Sequence, residues 1–204
     1  MYYRNNVRMN RQQNMQRRNN QNNQRMQNNN VELGSTLKKL WVENAIWNRI
    51  FIISSMSNSQ DLQYVIKRLI RNPEDISKEL KRYYGEERAD RLKELLADLV
   101  MINVKMVGDI KSGNTRMILE TRNKLGTSCD TFSEFMSKLE PGMDKEEMYN
   151  LLLDYFKGLE SQVTDRLKGD YASEIIKFDE NQAKAEKIAE YMNHTITAHK
   201  VAKR

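Results

Sequence analysis

Residues 40–55, LWVENAIWNRIFIISS, form the most apolar run of the chain and decide its fold. Apolar side chains fall on every side of a helix built from this stretch, so we expect it to be the most buried helix. Its middle nevertheless carries Glu43, Asn44, Asn48 and Arg49. A membrane span needs about 20 mostly apolar residues, and the two charged residues are each disfavoured at a bilayer centre by about 2.5 kcal/mol or more. We therefore expect no membrane insertion, and a helical core instead.

The polar residues of this stretch must find partners inside that core, because an unsatisfied buried polar group costs about 1 to 3 kcal/mol. Asn44 and Asn48 lie on one helical stripe that begins apolar. Arg49 can pair with one of the candidate carboxylates on other helices. The candidate partners are Asp98, Asp154, Tyr155 and Asp179. Two interpretations stay open: a structural network that fixes helix register, and a ligand-binding or degenerate active site.

Turn residues and apolar periodicity divide the rest of the chain into further helices. Apolar residues recur every three or four positions, and glycines fall mostly between the periodic segments. Asn72-Pro73 is read as the stop of one helix and the start of the next. The predicted helices are 35–56, 61–71, 74–84, 87–111, 115–125, 132–139, 144–167 and 170–202.

The last of these helices carries a seam of heptad type over four heptads. Since no run of alternating β-branched residues argues for a sheet, the fold class is all-α. We expect an antiparallel four-helix-type bundle with short connecting helices, in which the long seam also allows a homodimer. The seam positions are Tyr171, Ile175, Phe178, Gln182, Ala185, Ala189, Met192, Ile196 and His199.

The first thirty residues differ sharply in composition from the rest. They hold eleven Asn, six Gln, four Met and six Arg, with no acidic residue, and leave 28 basic and 28 acidic residues for the remainder. Such a stretch has too little apolar area to offset its chain entropy, so residues 1–33 are predicted to form a disordered tail and 34–204 the bundle domain.

The arginines of this tail give it two candidate partners. Cations without acids, interleaved with tyrosines and carboxamides, can contact nucleic acid by phosphate attraction and stacking. Asn/Gln-rich segments also self-associate. The candidate nucleic-acid contacts are Arg4, Arg8, Arg11, Arg17, Arg18 and Arg25.

Motifs for nucleotide, metal and nucleophile chemistry are missing from the sequence. Neither GxxxxGK[ST] nor GxGxxG occurs, and no ExxH pair of the kind used by di-iron bundles is present. His194 and His199 sit five residues apart on different faces of one helix, and Cys129 has no histidine partner. We therefore expect no catalytic residue, no metal and no cofactor. One cysteine and the lack of an apolar leader favour a reducing, cytoplasmic compartment.

A spaced set of residues resembles a group of uncharacterised small all-helical proteins from low-GC anaerobic spore-forming bacteria. The likeness covers residues 36–193. It is carried by Trp41, Trp47-x-Arg49, Phe51-Ile52-Ile53-Ser54, Asp61-Leu62, Arg68-Leu69-x-Arg71-Asn72-Pro73-x-Asp75, Tyr84-Gly85, Asp154, Arg166-Leu167-x-Gly169-Asp170-Tyr171 and Phe178-Asp179.

The resemblance implies little about activity. Members of this group often carry the label acetylglutamate kinase, which needs a glycine-rich α/β fold that a helical sequence does not supply. Typical members carry histidines at the positions of Asn44, Leu99 and Tyr155, so any metal chemistry of the group is in doubt for this chain. We expect a cytoplasmic or spore-associated, non-enzymatic structural or interaction protein. The alternative is a degenerate metal- or small-ligand-binding bundle.

Overall fold

Six α-helices make up the described part of the chain. A computed structural model describes the backbone of residues 2–202, and the side chains of residues 30–198 together with Met15, Gln16, Arg18, Gln21 and Gln24. No strand occurs within residues 2–202, so the all-α prediction is confirmed. The helices are α1 (Tyr2–Met56), α2 (Leu62–Tyr84), α3 (Glu86–Ser112), α4 (Thr115–Leu139), α5 (Lys145–Leu167) and α6 (Tyr171–Ala202).

The helices pack in chain order and close on themselves. Each helix contacts the next, α6 returns to pack on α1, and α1, α3 and α5 also touch one another in pairs. Lys38 pairs with Glu186 at 2.9 Å and Arg49 with Glu174 at 2.9 Å, so α1 and α6 run in opposite directions. The result is an antiparallel helical bundle with α1, α3 and α5 at its centre.

The stretch 40–55 contributes to both apolar cores of this bundle. Trp41 and Ala45 belong to one cluster of buried apolar side chains, whereas Phe51 and Ile52 belong to a second. All four are at most 3% exposed. The part of α1 between these two clusters carries Asn48, so its polar side chain enters the core where the apolar packing is interrupted.

The predicted helices 61–71 and 74–84 are joined in one helix, α2, which passes through Pro73. Proline lacks an N–H and usually breaks or kinks a helix. Here Asn72 compensates from inside the bundle, because its buried side chain donates to the backbone oxygen of Leu40 at 2.8 Å and accepts from Asn44 at 3.0 Å. These bonds hold α2 against α1 at the proline.

The predicted helices 115–125 and 132–139 are likewise one helix, α4. The linking stretch contains Gly126 and two threonines, which favour turns. In the structure the Thr127 hydroxyl donates to the backbone oxygen of Asn123 at 3.1 Å, and Thr131 does the same to Thr127 at 2.9 Å. Their hydroxyls are satisfied within the helix, and Cys129 between them is fully buried. Residues 2–202 therefore form six long helices where four long and several short ones were expected.

The predicted seam of α6 is present only in its second half. Ala185, Ala189 and Met192 are at most 1% exposed, as expected. Tyr171 and Ile175 are 58% and 47% exposed, because the first half of α6 turns a different face towards the bundle. That face carries Glu174 and Asn181, which are both polar and both buried. A prediction based on apolar spacing therefore cannot identify it.

The helix α1 begins at Tyr2, well before the predicted start at Ser35. Leu33 is fully buried, so packing of the bundle reaches back at least to this residue. Most side chains of residues 1–29 lie outside the described residues, including those of five of the six candidate nucleic-acid-contacting arginines, Arg18 being the exception. The disorder of residues 1–29 therefore stays a prediction, whereas Leu33, at the end of the predicted tail, belongs to the core of the bundle.

Two glycines of the bundle should respond in opposite ways to alanine. A Cβ on Gly158 would lie 2.0 Å from Oδ1 and 2.8 Å from Cγ of Asn181, which is fully buried, so the asparagine would have to shift within the core. A Cβ on Gly108 would meet no atom within 4 Å. We expect Gly158→Ala to lower the free energy of unfolding by about 1–3 kcal/mol, and Gly108→Ala to raise it by up to about 1 kcal/mol. Urea unfolding measures both, and equal effects would contradict the close approach of α5 and α6.

Candidate functional site

The asparagines in the middle of α1 meet the hydroxyl group of a tyrosine on α5. Tyr155 donates from its hydroxyl to Oδ1 of Asn44 at 2.7 Å, and Asn48 Nδ2 donates to the same oxygen at 2.9 Å. Asn48 Nδ2 also lies 3.4 Å from the hydroxyl oxygen of Tyr155. The three residues are 6%, 2% and 0% exposed in the order Asn44, Asn48, Tyr155. The structure thus brings together three of the predicted site residues, although they are far apart in sequence.

Two further asparagines extend this cluster to α2 and α3. Asn44 Nδ2 donates to Asn72 Oδ1 at 3.0 Å, and Asn103 Nδ2 donates to Asn48 Oδ1 at 2.8 Å. Both added residues are buried. The cluster therefore links the three central helices and α2. We call it the carboxamide network: Asn44, Asn48, Asn72, Asn103 and Tyr155.

Asn72 and Asn103 were not among the site residues predicted from the sequence, although one of them left a signal. Asn103 follows Leu99 by four residues and precedes Met106 by three, so it interrupts the apolar stripe of α3 on its core-facing side. Asn72 precedes Pro73 and was read as a helix cap. Its true role needs α2 to continue through the proline, which local sequence rules do not predict.

The carboxamide network holds no charged group. Asparagine side chains neither gain nor lose a proton near neutral pH. Burial is the main cause that raises the pKa of Tyr155 above its ordinary value, and the hydrogen bond from Asn48 opposes it only partly. The tyrosine therefore keeps its proton and acts as a donor. Such a network can fix the register of four helices but supplies no acid or base for catalysis.

A small cavity adjoins the carboxamide network. About 10 Å³ of room lies between α1, α2, α3 and α5. Asn44 borders this cavity and is bonded to Tyr155, while Leu99 lines it from α3. Asn44 and Leu99 thus border the same cavity, and Tyr155 reaches it only through its hydrogen bond to Asn44. The lining residues are Trp41, Asn44, Asn72, Pro73, Ile76, Leu96, Leu99, Val100 and Phe156.

Arg49 lies outside the carboxamide network and pairs with a carboxylate that was not among its predicted partners. Its Nε is 2.9 Å from Oε1 of Glu174, and Nη2 is 3.4 Å from Oε2. Arg166 reaches the same carboxylate at 3.3 Å. Glu174 is only 1% exposed. Its hydrogen bond to Arg49 is the main cause that raises the pKa of the guanidinium. This cluster ties α1, α5 and α6 together at one end of the bundle.

The three aspartates proposed as interior partners do not reach the core. Asp98, Asp154 and Asp179 are all exposed, and Asp154 pairs with Lys184 at 3.1 Å. Asp98 and Asp154 each precede a buried residue by one position, and Asp179 precedes the buried Asn181 by two. Their assignment to an interior polar network is therefore corrected: carboxamides and Tyr155 fill that role, and Glu174 takes the place of these aspartates opposite Arg49.

The remaining residues considered for chemistry are placed where they cannot easily act. Cys129 is fully buried in the middle of α4, and burial raises the pKa of its thiol to about 12. Little reactive thiolate is present at neutral pH in such a site. His194 is exposed on α6, and the side chain of His199 lies outside the described residues.

Neither a metal centre nor a membrane span is found in the described part of the chain. In that part no group of three or more His, Cys, Asp or Glu residues is arranged to hold a metal ion. Among the same residues, no helix combines the length and the apolar character that a bilayer crossing demands.

Removal of one member of the carboxamide network should cost more stability than removal of an exposed asparagine. Asn48→Leu keeps the side-chain size but deletes the acceptor of Asn103 and a donor to Asn44, so a buried amide is left without its partner. We expect the free energy of unfolding to fall by about 1–3 kcal/mol or more. Asn123→Leu, on the exposed face of α4, should change it by less than about 0.5 kcal/mol. Chemical unfolding of both variants makes the comparison, and similar decreases would argue against a structural role for the network.

Comparison with known proteins adds no functional assignment. No protein-family model, no curated protein and no solved structure matches this chain.

Proposed function

We propose that the chain is a non-enzymatic interaction protein of the cytoplasm or the spore, in which a helical bundle carries an arginine-rich arm that contacts nucleic acid. The bundle acts as a stable scaffold, and residues 1–30 form the arm that binds the partner. The observation that carries this proposal is the continuity of α1, which runs from Tyr2 through the arm into the centre of the bundle.

The bundle interior supports a structural role. Asn44, Asn48 and Tyr155 bond to one another, and the adjoining cavity has room for about 10 Å³ only. Small-molecule sites usually occupy about 300–1,000 Å³. A substrate larger than a water molecule would have to displace the core side chains. The proposed binding surface therefore lies outside this interior.

The arm carries its arginines in a helical register. Arg4, Arg11, Arg18 and Arg25 follow one another at intervals of seven residues. Seven residues of α-helix rise about 10.5 Å and return to nearly the same face, with a drift of about 20°. Arg18, the member whose side chain is described, is exposed. Four arginine positions that share one side of the helical backbone, with no acidic residue before Glu32, suit a line of phosphates.

The composition of the arm fits a nucleic-acid partner better than an acidic protein surface. Arginine binds phosphate oxygens with two parallel hydrogen bonds. Asparagine and glutamine, which make up 17 of the other 24 residues of the arm, are among the side chains that pair with base edges. The bundle itself is balanced in charge, so the net charge of +6 comes from the arm.

Two neighbouring arginines provide a matched test of the helical register. Arg18 belongs to the seven-residue series, whereas Arg17 lies about 100° away on the helix. Arg18→Gln and Arg17→Gln remove the same charge. If the arm binds as a helix, Arg18→Gln should weaken binding to a 20-base-pair RNA or DNA duplex several-fold more than Arg17→Gln. Fluorescence anisotropy of the labelled duplex across a salt series measures this.

The salt series separates the proposal from its competitors. Removal of each phosphate-binding arginine should reduce the salt slope by slightly less than one, and replacement of all four series arginines should abolish binding. Equal weakening by the two single variants would indicate an arm that binds without helical register. Absence of duplex binding, together with sedimentation of the full chain as an oligomer, would replace the proposal by self-association through the arm.

A second candidate function is a degenerate metal- or small-ligand-binding bundle. The observation that favours it is that Asn44 and Leu99 line the interior cavity while Tyr155 is hydrogen-bonded to Asn44. Neutral carboxamides, an aliphatic side chain and a protonated tyrosine are poor ligands for iron, zinc or manganese. A chain with these residues would keep the shape of such a site without its metal.

Elemental analysis distinguishes the two candidates. We expect less than about 0.1 equivalent of iron, zinc or manganese in full-length protein purified from cells supplied with all three, because no soft or anionic side chain among the described residues lines the cavity. A stoichiometric metal that is absent from Asn44→Leu but kept in Asn123→Leu would contradict the interaction role and favour the second candidate.

A further inference from the structure

The indole of Trp41 presents a buried donor that the protein itself does not satisfy. The side chain is 3% exposed, and its Nε1 has no hydrogen-bond partner among the described residues. The ring packs edge-on against Tyr155, with 6.0 Å between centroids. Buried tryptophan N–H groups usually find a partner, and leaving one unpaired is costly. The indole therefore needs an acceptor that the described side chains do not supply.

Trp41 lines the interior cavity beside the carboxamide network. The room of about 10 Å³ is close to the minimum that holds one water molecule, and it is too small for anything larger. Apolar walls come from α3 and α5, through residues such as Leu96, Leu99 and Phe156. Polar groups come from α1 and α2. A cavity with polar groups on one side and the size of one water differs from the purely apolar cavities that stay dry.

The side chains on the polar side have hydrogen-bonding capacity to spare. Asn72 Oδ1 accepts one hydrogen bond, from Asn44, and an amide oxygen can accept two. Asn44 Nδ2 donates once and Asn72 Nδ2 once, although each amide nitrogen carries two hydrogens. Together with the indole of Trp41, these groups offer one free acceptor position and up to three donors around the same cavity.

Pro73 removes one backbone donor from α2. It borders the cavity and has no N–H, so the backbone oxygen of Leu69, four residues earlier in α2, lacks its usual helical donor. The proline therefore leaves a backbone carbonyl group of α2 to be satisfied. A water molecule commonly bridges such groups inside a protein.

We propose that this cavity is a binding site for one structural water molecule, which accepts a hydrogen bond from Trp41 Nε1 and donates one to Asn72 Oδ1. The water joins α1 to α2 at the point where Pro73 interrupts the helical ladder. It extends the carboxamide network to the indole and satisfies the donor that the side chains leave unpaired.

Nuclear magnetic resonance of the full chain, labelled with nitrogen-15 at tryptophan, tests this site directly. The chain has two tryptophans, and Trp47→Phe assigns the indole signal of Trp41. A water held for longer than about a nanosecond gives a cross-peak with the indole proton in both the nuclear Overhauser and the rotating-frame experiment. The cross-peaks of the two experiments have opposite signs, since the two effects depend differently on the rate of motion. We expect this pair of signals at Trp41. Its absence, or signals of equal sign that report exchange with bulk solvent, would overturn the proposal.

A cavity-filling variant locates the water. Val100 lines the cavity, and Val100→Ile adds one methylene to a wall that carries no polar group. We expect the cross-peaks at Trp41 to disappear in this variant. Leu95→Met, a volume-conserving change at a buried position outside the lining, should keep them. Cross-peaks that persist in folded Val100→Ile would place the water elsewhere and refute the assignment. If either variant fails to fold, the spectrum of the unaltered chain still decides whether the water is bound.

Discussion

The bundle depends on the requirement that buried amide groups be hydrogen-bonded. Asn48 brings a polar side chain into α1 between two apolar clusters, where water cannot solvate it freely. Its nitrogen reaches Asn44 and Tyr155, and its oxygen receives a bond from Asn103. Each bond needs a particular rotation and height of the partner helix. An apolar contact in the same place would tolerate sliding of the helices, whereas this arrangement does not.

The same requirement explains why α2 continues through a proline. The backbone of α2 loses one helical hydrogen bond at Pro73, and Asn72 gains two bonds to α1 through its side chain. Ile76 and Leu80 then bury the next two turns against the core. Tertiary contacts thus outweigh a local signal that favours a break. The cost of the proline is met by neighbours far away in sequence, so no rule that considers the local residues alone could identify this helix.

Features set by local residues can be predicted from the sequence, whereas features set by tertiary contacts cannot. Apolar periodicity reports on burial at each position, so the all-α class and the central place of 40–55 were predictable. The inward position of Asn44, Asn48 and Tyr155 followed in the same way. Pairing between helices depends on which residues lie at the same level along the bundle axis. The spacing of residues along one helix does not give this level. Arg49 therefore pairs with Glu174, which the sequence does not predict, whereas the predicted partners Asp98, Asp154 and Asp179 lie at the surface.

The continuity of α1 gives the arm a defined relation to the bundle. The position seven residues after Arg25 is Glu32, which pairs with Arg82 of α2 at 3.9 Å. Leu33 is buried immediately after it. The seven-residue series of arginine positions thus continues into a residue that pairs with α2 where α1 enters the bundle. A helical arm would then present its cations at a fixed angle, whereas an unfolded one would present them in all directions. Neighbouring residues point to different faces in a regular helix but not in an unfolded chain. Arg17→Gln and Arg18→Gln therefore have different effects on a helical arm and equal effects on an unfolded one.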